Sequence, residues 1–256
     1  MTIKLFIVTY DNSPDLNANL ESLYNQSYKD FQLNIINNHS NFSIKRKYKK
    51  IIHKIYHNEL RPNFSTGHLA RNWNQALILG FVNLINPACD IVITAQDDTI
   101  FLPNFFENII EAHKVYSFIQ QGSGDNVCSY TPDAIHNAGI WDEQFCNIGF
   151  QEFDYLNKQL LFNDKCIIKN GRQLSPNQLQ GELIKRPENN DKRAYHHVTS
   201  QSTGHEISFN YFNHKYGGQA QLIIDGTPQQ QVIPTYYTYP YFEKDIRNNA
   251  ALKYLS

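Results

Sequence analysis

Short apolar runs alternate with helically spaced apolar residues through the first half of the chain. Runs of mainly β-branched and other apolar residues at 3–9, 31–37 and 91–95 predict strands, and 51–56 is a weaker candidate. Between them, apolar side chains recur at helical spacing and predict helices. The helical positions are Leu16, Leu20, Leu23 and Tyr24, then Leu69, Trp73, Leu77, Phe81 and Leu84, then Phe106, Ile109, Ile110 and His113. This alternation predicts an α/β fold with a doubly wound, mostly parallel sheet.

The pattern changes in the second half of the chain. Val127–Tyr130 predicts one more strand, and a short helix is expected from about Gln151. Residues 163–194 are polar and rich in loop-forming residues, so we predict no elements there. We therefore expect a single domain over 1–256, with its second half forming the other wall of a cleft.

Bulk composition indicates a globular protein without a strongly charged partner. The chain has 256 residues, 41% of them hydrophobic and 18% charged, and its net charge of −1 does not indicate nucleic-acid binding. The cysteines Cys89, Cys128, Cys146 and Cys166 lack metal-finger spacing, so we interpret them as buried thiols in a reducing compartment. No signal-peptide pattern or membrane-spanning run is found, which predicts a cytoplasmic protein. The basic run 45–50 is expected to form either a solvated surface or a patch that binds peripherally to an anionic membrane.

Two adjacent carboxylates close one of the strand-like runs. The stretch from Asp90 to Pro103 passes from a buried-strand pattern directly into Asp97 and Asp98. Open α/β sheets bind ligands at the carboxyl ends of their strands, and paired carboxylates there suit a hard divalent cation that holds phosphates. The alternative is a strand-to-helix turn, in which Asp98 or Thr99 hydrogen-bonds the next backbone amides.

Polar loops are expected after the first two strands as well. Thr9, Tyr10 and Asp11 follow the first strand without the glycine pattern of a dinucleotide-binding loop, and can hydrogen-bond a nucleoside. Asn37 and Asn38 end the second strand with amides that both donate and accept hydrogen bonds, as a base edge requires. Ordinary turns remain an alternative, because Asn and Asp are common turn residues.

Taken in order, these segments resemble the inverting nucleotide-sugar glycosyltransferases of family 2, which have the glycosyltransferase-A fold. The segments that carry the resemblance are Ile7–Asp11, Leu20–Tyr28, Ile35–Ser40, Gly67–Asn72, Ala95–Asp98, Gly139–Phe145 and Gly149–Tyr155. The resemblance covers residues 3–160 well and the remainder only in patches. Asp97 falls in the family's Asp-x-Asp motif, where Ala95 replaces the first Asp.

The resemblance implies a fold, an activity and a set of binding residues. It implies a Rossmann-like, mostly parallel sheet flanked by helices, with a nucleotide-sugar-binding half (1–120) and an irregular acceptor-binding half (121–256). The implied activity is metal-dependent, inverting sugar transfer from a nucleotide-sugar donor, expected to carry UDP, to a hydroxyl acceptor such as a glycan, as in glycan biosynthesis. The implied nucleotide-binding residues are Thr9, Tyr10, Asp11, Asn37, Arg71 and Asp97.

The resemblance also implies a divalent metal cofactor, Mn²⁺ or Mg²⁺. Its expected ligands are Asp97 and Asp98, and His197 matches a late metal-ligand histidine found in part of the family. An imidazole ligand suits Mn²⁺ better than Mg²⁺. The alternative for His196 and His197 is a packed or surface pair of histidines.

On the acceptor side, the resemblance places the catalytic base at Glu152, with Asp154 in reserve and Gln151 beside it. Burial beside Trp141 and Phe153 is expected to raise the pKa of Glu152 towards neutrality, which suits a base for a hydroxyl proton. Trp141 precedes it in an irregular segment and is expected to stack on a sugar face. The alternative for Glu152 and Asp154 is a charged first helical turn, favoured by the helix dipole.

Two other functions are compatible with the same pattern. A nucleotidyltransferase would use a related sheet, but would need a Gly-rich, basic phosphate loop after the first strand, which Tyr10–Pro14 does not supply. A non-catalytic sugar- or protein-binding domain on the same fold would explain Ala95 and Asn37, which both replace acidic residues of the family. Donor turnover with and without Mn²⁺ would separate this domain from the enzyme.

Overall fold

A computed structural model of the chain describes residues 1–9, 14–38, 42–58, 68–122, 124–145, 149–168, 183–185 and 203–219. The strands are β1 (Ile3–Thr9), β2 (Phe31–Asn37), β3 (Ile52–His57), β4 (Ile91–Gln96), β5 (Ile100–Phe101), β6 (Phe118–Gln121), β7 (Val127–Tyr130), β8 (Cys166–Ile168) and β9 (Ile184–Lys185). The helices are α1 (Pro14–Tyr24), α2 (His68–Phe81), α3 (Phe105–Ala112), α4 (Pro132–Ala138), α5 (Phe150–Phe162) and α6 (Thr203–Lys215), with a 3₁₀ helix at Arg46–Ile51.

Seven strands form one mixed sheet in the order β3-β2-β1-β4-β7-β6-β8. The first four are mutually parallel, and β7 runs antiparallel to both of its neighbours. In register, Ile7 pairs with Ile35 on one side and with Ala95 on the other. The expected α/β, Rossmann-like sheet, with the strands 3–9, 31–37 and 91–95 adjacent and parallel, is thus confirmed.

The sheet buries an apolar layer on each of its faces, because successive strand residues point to opposite sides. Leu5 and Ile7 of β1 pack into a core with Leu20 of α1 and Phe106 of α3. On the other face, Phe6 and Val8 belong to a core that includes Trp73 of α2 and Tyr155 of α5. A strand buried on both faces reads as a continuous apolar run, which is why these strands are recognisable in the sequence.

The order of the strands creates a reversal point in the sheet. From β1 the chain moves outward to β2 and β3, and then returns to β4 on the opposite side of β1. The crevice outside the carboxyl ends of strands at such a point is the usual ligand site of open α/β sheets. Here it lies after Thr9 and Gln96, the last residues of β1 and β4.

Several elements differ from the sequence expectations. The helix over Leu69–Leu84 ends at Phe81, the weak strand begins at Ile52, and the basic run forms a 3₁₀ helix that buries Tyr48. The strands β5, β6, β8 and β9 and the helices α4 and α6 were not predicted. In β6 the reason is visible, since half of the strand consists of the buried amides Gln120 and Gln121 rather than apolar side chains.

The cysteines in the described part of the chain are reduced. Cys89 and Cys128 are buried and Cys166 is partly buried, and all three are free thiols. Burial raises the pKa of Cys89 to about 11 and that of Cys166 to about 12. Cys146 lies outside the described residues. Among the helices that are described, none combines the length and apolar character needed to cross a bilayer.

Candidate active site

The carboxyl ends of β1, β2 and β4 bring three of the sequence-predicted site residues together. Thr9 pairs in register with Asn37 of the neighbouring strand. The Thr9 hydroxyl donates to Oδ2 of Asp97 at 2.7 Å, across the reversal point of the sheet. Thr9 is buried and Asp97 is half-buried, so a hydroxyl from the protein interior fixes the Asp97 carboxylate. The structure thus places Thr9, Asn37 and Asp97 at neighbouring strand ends, while Tyr10 and Asp11 lie outside the described residues.

Asp98 is held from the opposite side of the strand end. The side-chain amide of Asn126, which precedes β7, donates to Oδ1 of Asp98 and to Oγ1 of Thr99, both at 3.1 Å. The backbone N–H of Thr99 donates to the carbonyl of Gln96 and closes a tight turn. This turn joins β4 to β5 rather than leading directly into a helix, and the side chains of Asp98 and Thr99 bond Asn126.

The donor set at this strand end is compatible with Mg²⁺ or Mn²⁺. Hard cations are often bound by one or two carboxylates, with waters and substrate phosphates as the remaining ligands. Asp97 and Asp98 supply those carboxylates, and no cluster of three or more His, Cys, Asp or Glu side chains occurs among the described residues. The expected third ligand, His197, and its neighbour His196 lie outside the described ranges.

A cluster of amide side chains lines the ends of β2 and β3. Nδ2 of Asn37 lies 3.2 Å from Nδ1 of His57. Nδ2 of Asn58 donates to Oδ1 of Asn38 at 3.1 Å and to Oε1 of Gln75 at 2.8 Å. The amide side chains are neutral, so the cluster can recognise a ligand through hydrogen bonds rather than through charge.

Arg71 lies on α2 and pairs with Glu143. Its Nε is 3.4 Å from Oε2 of Glu143, and its side chain is 57% exposed. One turn along, Nδ2 of Asn74 donates to Oε1 of Glu143 and to the carbonyl of Trp141, while Oδ1 of Asn74 accepts from the Trp141 backbone N–H. The amino-terminal part of α2 thus fastens the segment before α5, and a nucleotide-binding role for Arg71 stays a prediction.

Glu152 lies in the first turn of α5, beside a carboxyl group that sequence reasoning missed. Its carboxylate packs against Gly124, where a Cβ atom would come within 2.1 Å of Oε2. The side chains of Glu152 and Asp125 share a hydrogen bond. Asp125 is itself held by Nε2 of Gln96, which donates to Oδ1 at 2.5 Å. A chain of hydrogen bonds therefore links Glu152 to the residue that immediately precedes Asp97.

Burial governs the ionisation of Asp125. Removal from water raises the pKa of this carboxyl, while the indole N–H of Trp73, the shared hydrogen bond with Glu152 and the amide of Gln96 act in the opposite direction. In the sequence Asp125 follows a glycine-rich stretch that is typical of a turn, so its burial could not be recognised there.

Two residues assigned to the acceptor side are buried. Nε2 of Gln151 faces Oδ2 of Asp125 at 3.4 Å. The indole of Trp141 is fully buried, stacks on Tyr155 with ring centroids 4.1 Å apart, and donates its N–H to the Tyr130 hydroxyl at 3.2 Å. The expectation that Trp141 stacks on a sugar face is corrected accordingly, because both faces of its ring lie inside the core.

Asp154, the reserve candidate for the base, lies in a buried ionic cluster. Its Oδ1 is 2.7 Å from Nζ of Lys215 and accepts from the Tyr216 hydroxyl at 2.9 Å, and its Oδ2 is 3.3 Å from Nζ of Lys158. Lys215 also contacts Asp142 at 2.8 Å. Burial opposes the charge on Lys215, yet the two carboxylates hold its pKa above the ordinary value. This arrangement favours a structural role for Asp154, joining α5 to α6.

No protein-family model and no curated protein matches this chain. Among solved structures, the mannosyltransferase PcManGT from Pyrobaculum calidifontis, in complex with GDP-Man and Mn²⁺, covers 99% of the chain and 80% of its own length, at 10% identity and a TM-score of 0.48. Glucosyl-3-phosphoglycerate synthase from Mycobacterium tuberculosis, with Mn²⁺ and UDP, covers 64% of the chain and 68% of its own length, at 11% identity and a TM-score of 0.43.

The chain also resembles TarS from S. aureus, at 11% identity and a TM-score of 0.46 over 65% of the chain. It spans 34% of that TarS chain and 57% of the 1–349 form of TarS. At such low identity, these likenesses are similarities of fold only.

Proposed function

We propose that this chain is a metal-dependent glycosyltransferase that moves a sugar from a nucleotide-sugar donor, with UDP as the expected nucleotide, to a hydroxyl acceptor, inverting the anomeric carbon. One observation carries the proposal. Asp97 is anchored by Thr9 at the reversal point of the sheet, and Glu152 is tied to the same strand end through Asp125 and Gln96. An anchored carboxylate for the donor and a carboxylate for the acceptor are what such a transfer requires.

On the donor side, Asp97 and Asp98 would hold the divalent cation. When bound, the cation supplies positive charge that neutralises the departing diphosphate. Thr9 fixes the orientation of Asp97, and Asn126 fixes that of Asp98. The amide of Asn37, next to the reversal point, is proposed to bind the nucleobase, together with Tyr10, Asp11 and Arg71.

On the acceptor side, Glu152 is proposed to accept the hydroxyl proton. In the transfer step the acceptor O–H bond breaks as its proton passes to the Glu152 carboxylate, and the freed oxygen bonds to the anomeric carbon. The bond from that carbon to the diphosphate oxygen breaks, and its electron pair leaves on the diphosphate. Attack from the face opposite the leaving group inverts the anomeric configuration.

A donor screen tests this proposal directly. Thermal unfolding is followed with UDP- and GDP-sugars, each with Mn²⁺ and with a chelator, and release of nucleoside diphosphate is measured in the same samples. A donor that binds the native state raises the melting temperature in a concentration-dependent way. We expect this rise, and diphosphate release, to require the cation.

The outcomes separate the alternatives. Equal turnover in chelator would show that the metal assignment is wrong. Cation-dependent binding of a donor, without release of diphosphate for any acceptor hydroxyl, would instead identify a non-catalytic sugar-binding domain.

A further inference from the structure

A second carboxyl group lies in contact with the proposed base. Resting on the proposed function, we propose that Asp125 is a positioning residue for Glu152: it holds the Glu152 carboxyl against Gly124 and shares one proton with it. Asp125 itself is buried and is not proposed to touch the substrate.

The carboxyl of Asp125 is fixed in orientation by hydrogen bonds from three elements. Nε2 of Gln96 on β4 donates to Oδ1 at 2.5 Å, and the indole N–H of Trp73 on α2 donates to Oδ2 at 2.7 Å. Nε2 of Gln151 on α5 adds a longer contact to Oδ2 at 3.4 Å. Hydrogen bonds to both oxygens leave the carboxyl a single orientation, and Glu152 therefore contacts a rigid partner.

The contact between the two carboxyls requires a proton. A carboxylate only accepts hydrogen bonds, so two carboxyl groups can be bonded to each other only when one of them is protonated. Trp73 can only donate, and it donates to Asp125. The Trp73 N–H favours the ionised form of Asp125, whereas burial raises the pKa of Asp125, so the proton is shared by the pair rather than fixed on one carboxyl. Two negative charges in contact at a buried site would repel each other, which also favours a singly protonated pair.

The glycine before Asp125 leaves room for this arrangement. Gly124 has φ of +58°, and an added Cβ would lie 2.1 Å from Oε2 and 2.7 Å from Cδ of Glu152. Any side chain at this position would displace the Glu152 carboxyl from its place. At Gly122, two residues earlier, an added Cβ would instead meet Asn126 and Ile184 at 2.8 Å. The Glu152 carboxyl thus occupies the space that a side chain at position 124 would need.

The groups that face the pair are mostly neutral. Trp73, Gln96 and Gln151 approach it from α2, β4 and α5, and the buried thiol of Cys128 on β7 lies within its electrostatic reach. Burial, and then the charge of Asp125, raise the pKa of that thiol. The negative charge of the pair is therefore not neutralised by a buried cation among these neighbours.

The pair has a defined role in the transfer step. When the pair has lost its shared proton to solvent, Glu152 can take the acceptor proton, and the O–H that forms on Glu152 is again bonded to Asp125. Asp125 thereby increases the tendency of Glu152 to take a proton, because a neighbouring negative charge disfavours the ionised form. A stronger base accepts the hydroxyl proton more readily.

The variant Asp125→Asn tests this role by changing charge while keeping size. We expect kcat to fall roughly 10- to 100-fold, a part of the 10²–10⁴-fold that a positioned base contributes, with unchanged affinity for the nucleotide and Mn²⁺. The acidic limb of the kcat/KM profile should move to lower pH, because the like charge beside Glu152 is gone. Asp142→Asn, which removes another buried carboxylate at Lys215, is the matched control: it should lower stability without moving that limb.

A merely structural role would give a different result. In that case Asp125→Asn would behave like Asp142→Asn, with lower stability and an acidic limb at the wild-type pH, and the inference would be overturned.

A second measurement does not depend on activity or on the folding of the variant. Carboxyl-carbon NMR of the wild-type protein, with the Glu152 signal assigned from Glu152→Gln, should show Glu152 and Asp125 titrating as one coupled pair. Independent titration of the two carboxyls would contradict the inference even if sugar transfer is observed. Coupled titration in a protein that transfers no sugar would retain the pair and refute the proposed function.

Discussion

The strands β1, β2 and β4 and the helix α5 bury different kinds of side chain. Apart from Asn34, Thr94 and residues at the strand ends, these strands bury apolar side chains. The helix α5 buries Phe150, Tyr155 and Leu156, but most of its buried side chains are polar or charged, namely Gln151, Asp154, Asn157, Lys158 and Gln159. The first region is stabilised by apolar area removed from water, whereas the second depends on each buried polar group finding its partner.

This difference predicts where substitutions affect chemistry and where they affect stability. In the strand region, Thr9, Asn37 and Asp97 lie at the strand ends and are not part of the apolar core clusters. Around α5, the proposed base Glu152 and the structural Asp154 lie two residues apart on one helix. At the strand ends, a substitution of a functional residue should therefore affect activity with little effect on stability. On α5, the contacts of each individual residue should decide whether its substitution affects activity or stability.

The largest effect is expected at the strand ends, from Asp97→Asn. This change keeps the shape of the side chain but removes the charge that would hold the cation. Activity should fall by orders of magnitude, and the Mn²⁺-dependent part of UDP binding should vanish in calorimetry. Asp90→Asn, at the amino end of the same strand, where Asp90 bonds Thr2, is the control and should keep metal-linked binding. Retention of that binding in Asp97→Asn would refute the metal site.

The next effect is expected from Glu152→Gln on α5. Transfer to acceptor should drop by roughly 10²–10⁴-fold, while nucleotide and metal affinities stay near wild type, because the lost interaction belongs to the transition state. Asp154→Asn, two residues further on, should lower stability but retain transfer in the folded fraction. If the two variants behave the other way round, the base is Asp154 and the structural assignment of its cluster is wrong.

The largest effect on stability is expected from Lys215→Met. It leaves Asp142 and Asp154 without their shared cation, and breaking a buried ion pair in this way costs about 3–5 kcal/mol. Urea unfolding measures the loss. Lys114→Met removes an exposed ion pair with Glu111 and should cause little change. Equal losses in the two variants would contradict the contrast between buried and exposed charges.

A pH effect is expected at His113, which joins α3 to β7. Burial lowers the pKa of His113 to about 4, and its ring nitrogens contact the Tyr116 carbonyl and the Ser129 hydroxyl. Since the unfolded chain binds this proton near pH 6.5, the neutral ring contributes about 3 kcal/mol above that pH, and the contribution is lost as pH falls towards 4. His113→Gln should flatten the dependence of the unfolding free energy between pH 6.5 and 4, measured by urea unfolding, and an equally steep dependence in the variant would contradict this assignment.

The smallest effect is expected from Trp141→Phe. The substitution loses the N–H to Tyr130 and part of the stacked area on Tyr155, which costs roughly 1–2 kcal/mol. Because the ring is buried, KM for both substrates should stay at the wild-type value. A selective rise in the acceptor KM, without a loss of stability, would restore the sugar-stacking role.

The contrast between the two regions also explains how much the sequence could predict. The strands β1, β2 and β4 and the three helices beside them follow from apolar periodicity, which registers burial directly. The site residues Thr9, Asn37 and Asp97 follow from their position at predicted strand ends. Periodicity fails for β6, where the amides of Gln120 and Gln121 are buried, because the residue type alone does not show whether a polar side chain is buried or exposed.

Asp125 and Trp141 illustrate the part that the sequence could not supply. Asp125 is buried by Trp73 and Gln96, and Trp141 by Tyr130 and Tyr155, which are partners from distant or separate elements. Local pattern contains no information on such partners. Their environment is determined by how the elements pack, and it becomes visible only in the folded chain.

The side chain of Asn74 has a mechanical consequence. Its amide satisfies both the backbone N–H and the backbone carbonyl of Trp141, as a neighbouring strand would. Asn74 thereby ties α2 to Trp141, and pulling the two apart would break both bonds at once. A ligand that displaced α2 would therefore press on Trp141 and, through the stacked ring of Tyr155, on the helix that carries Glu152.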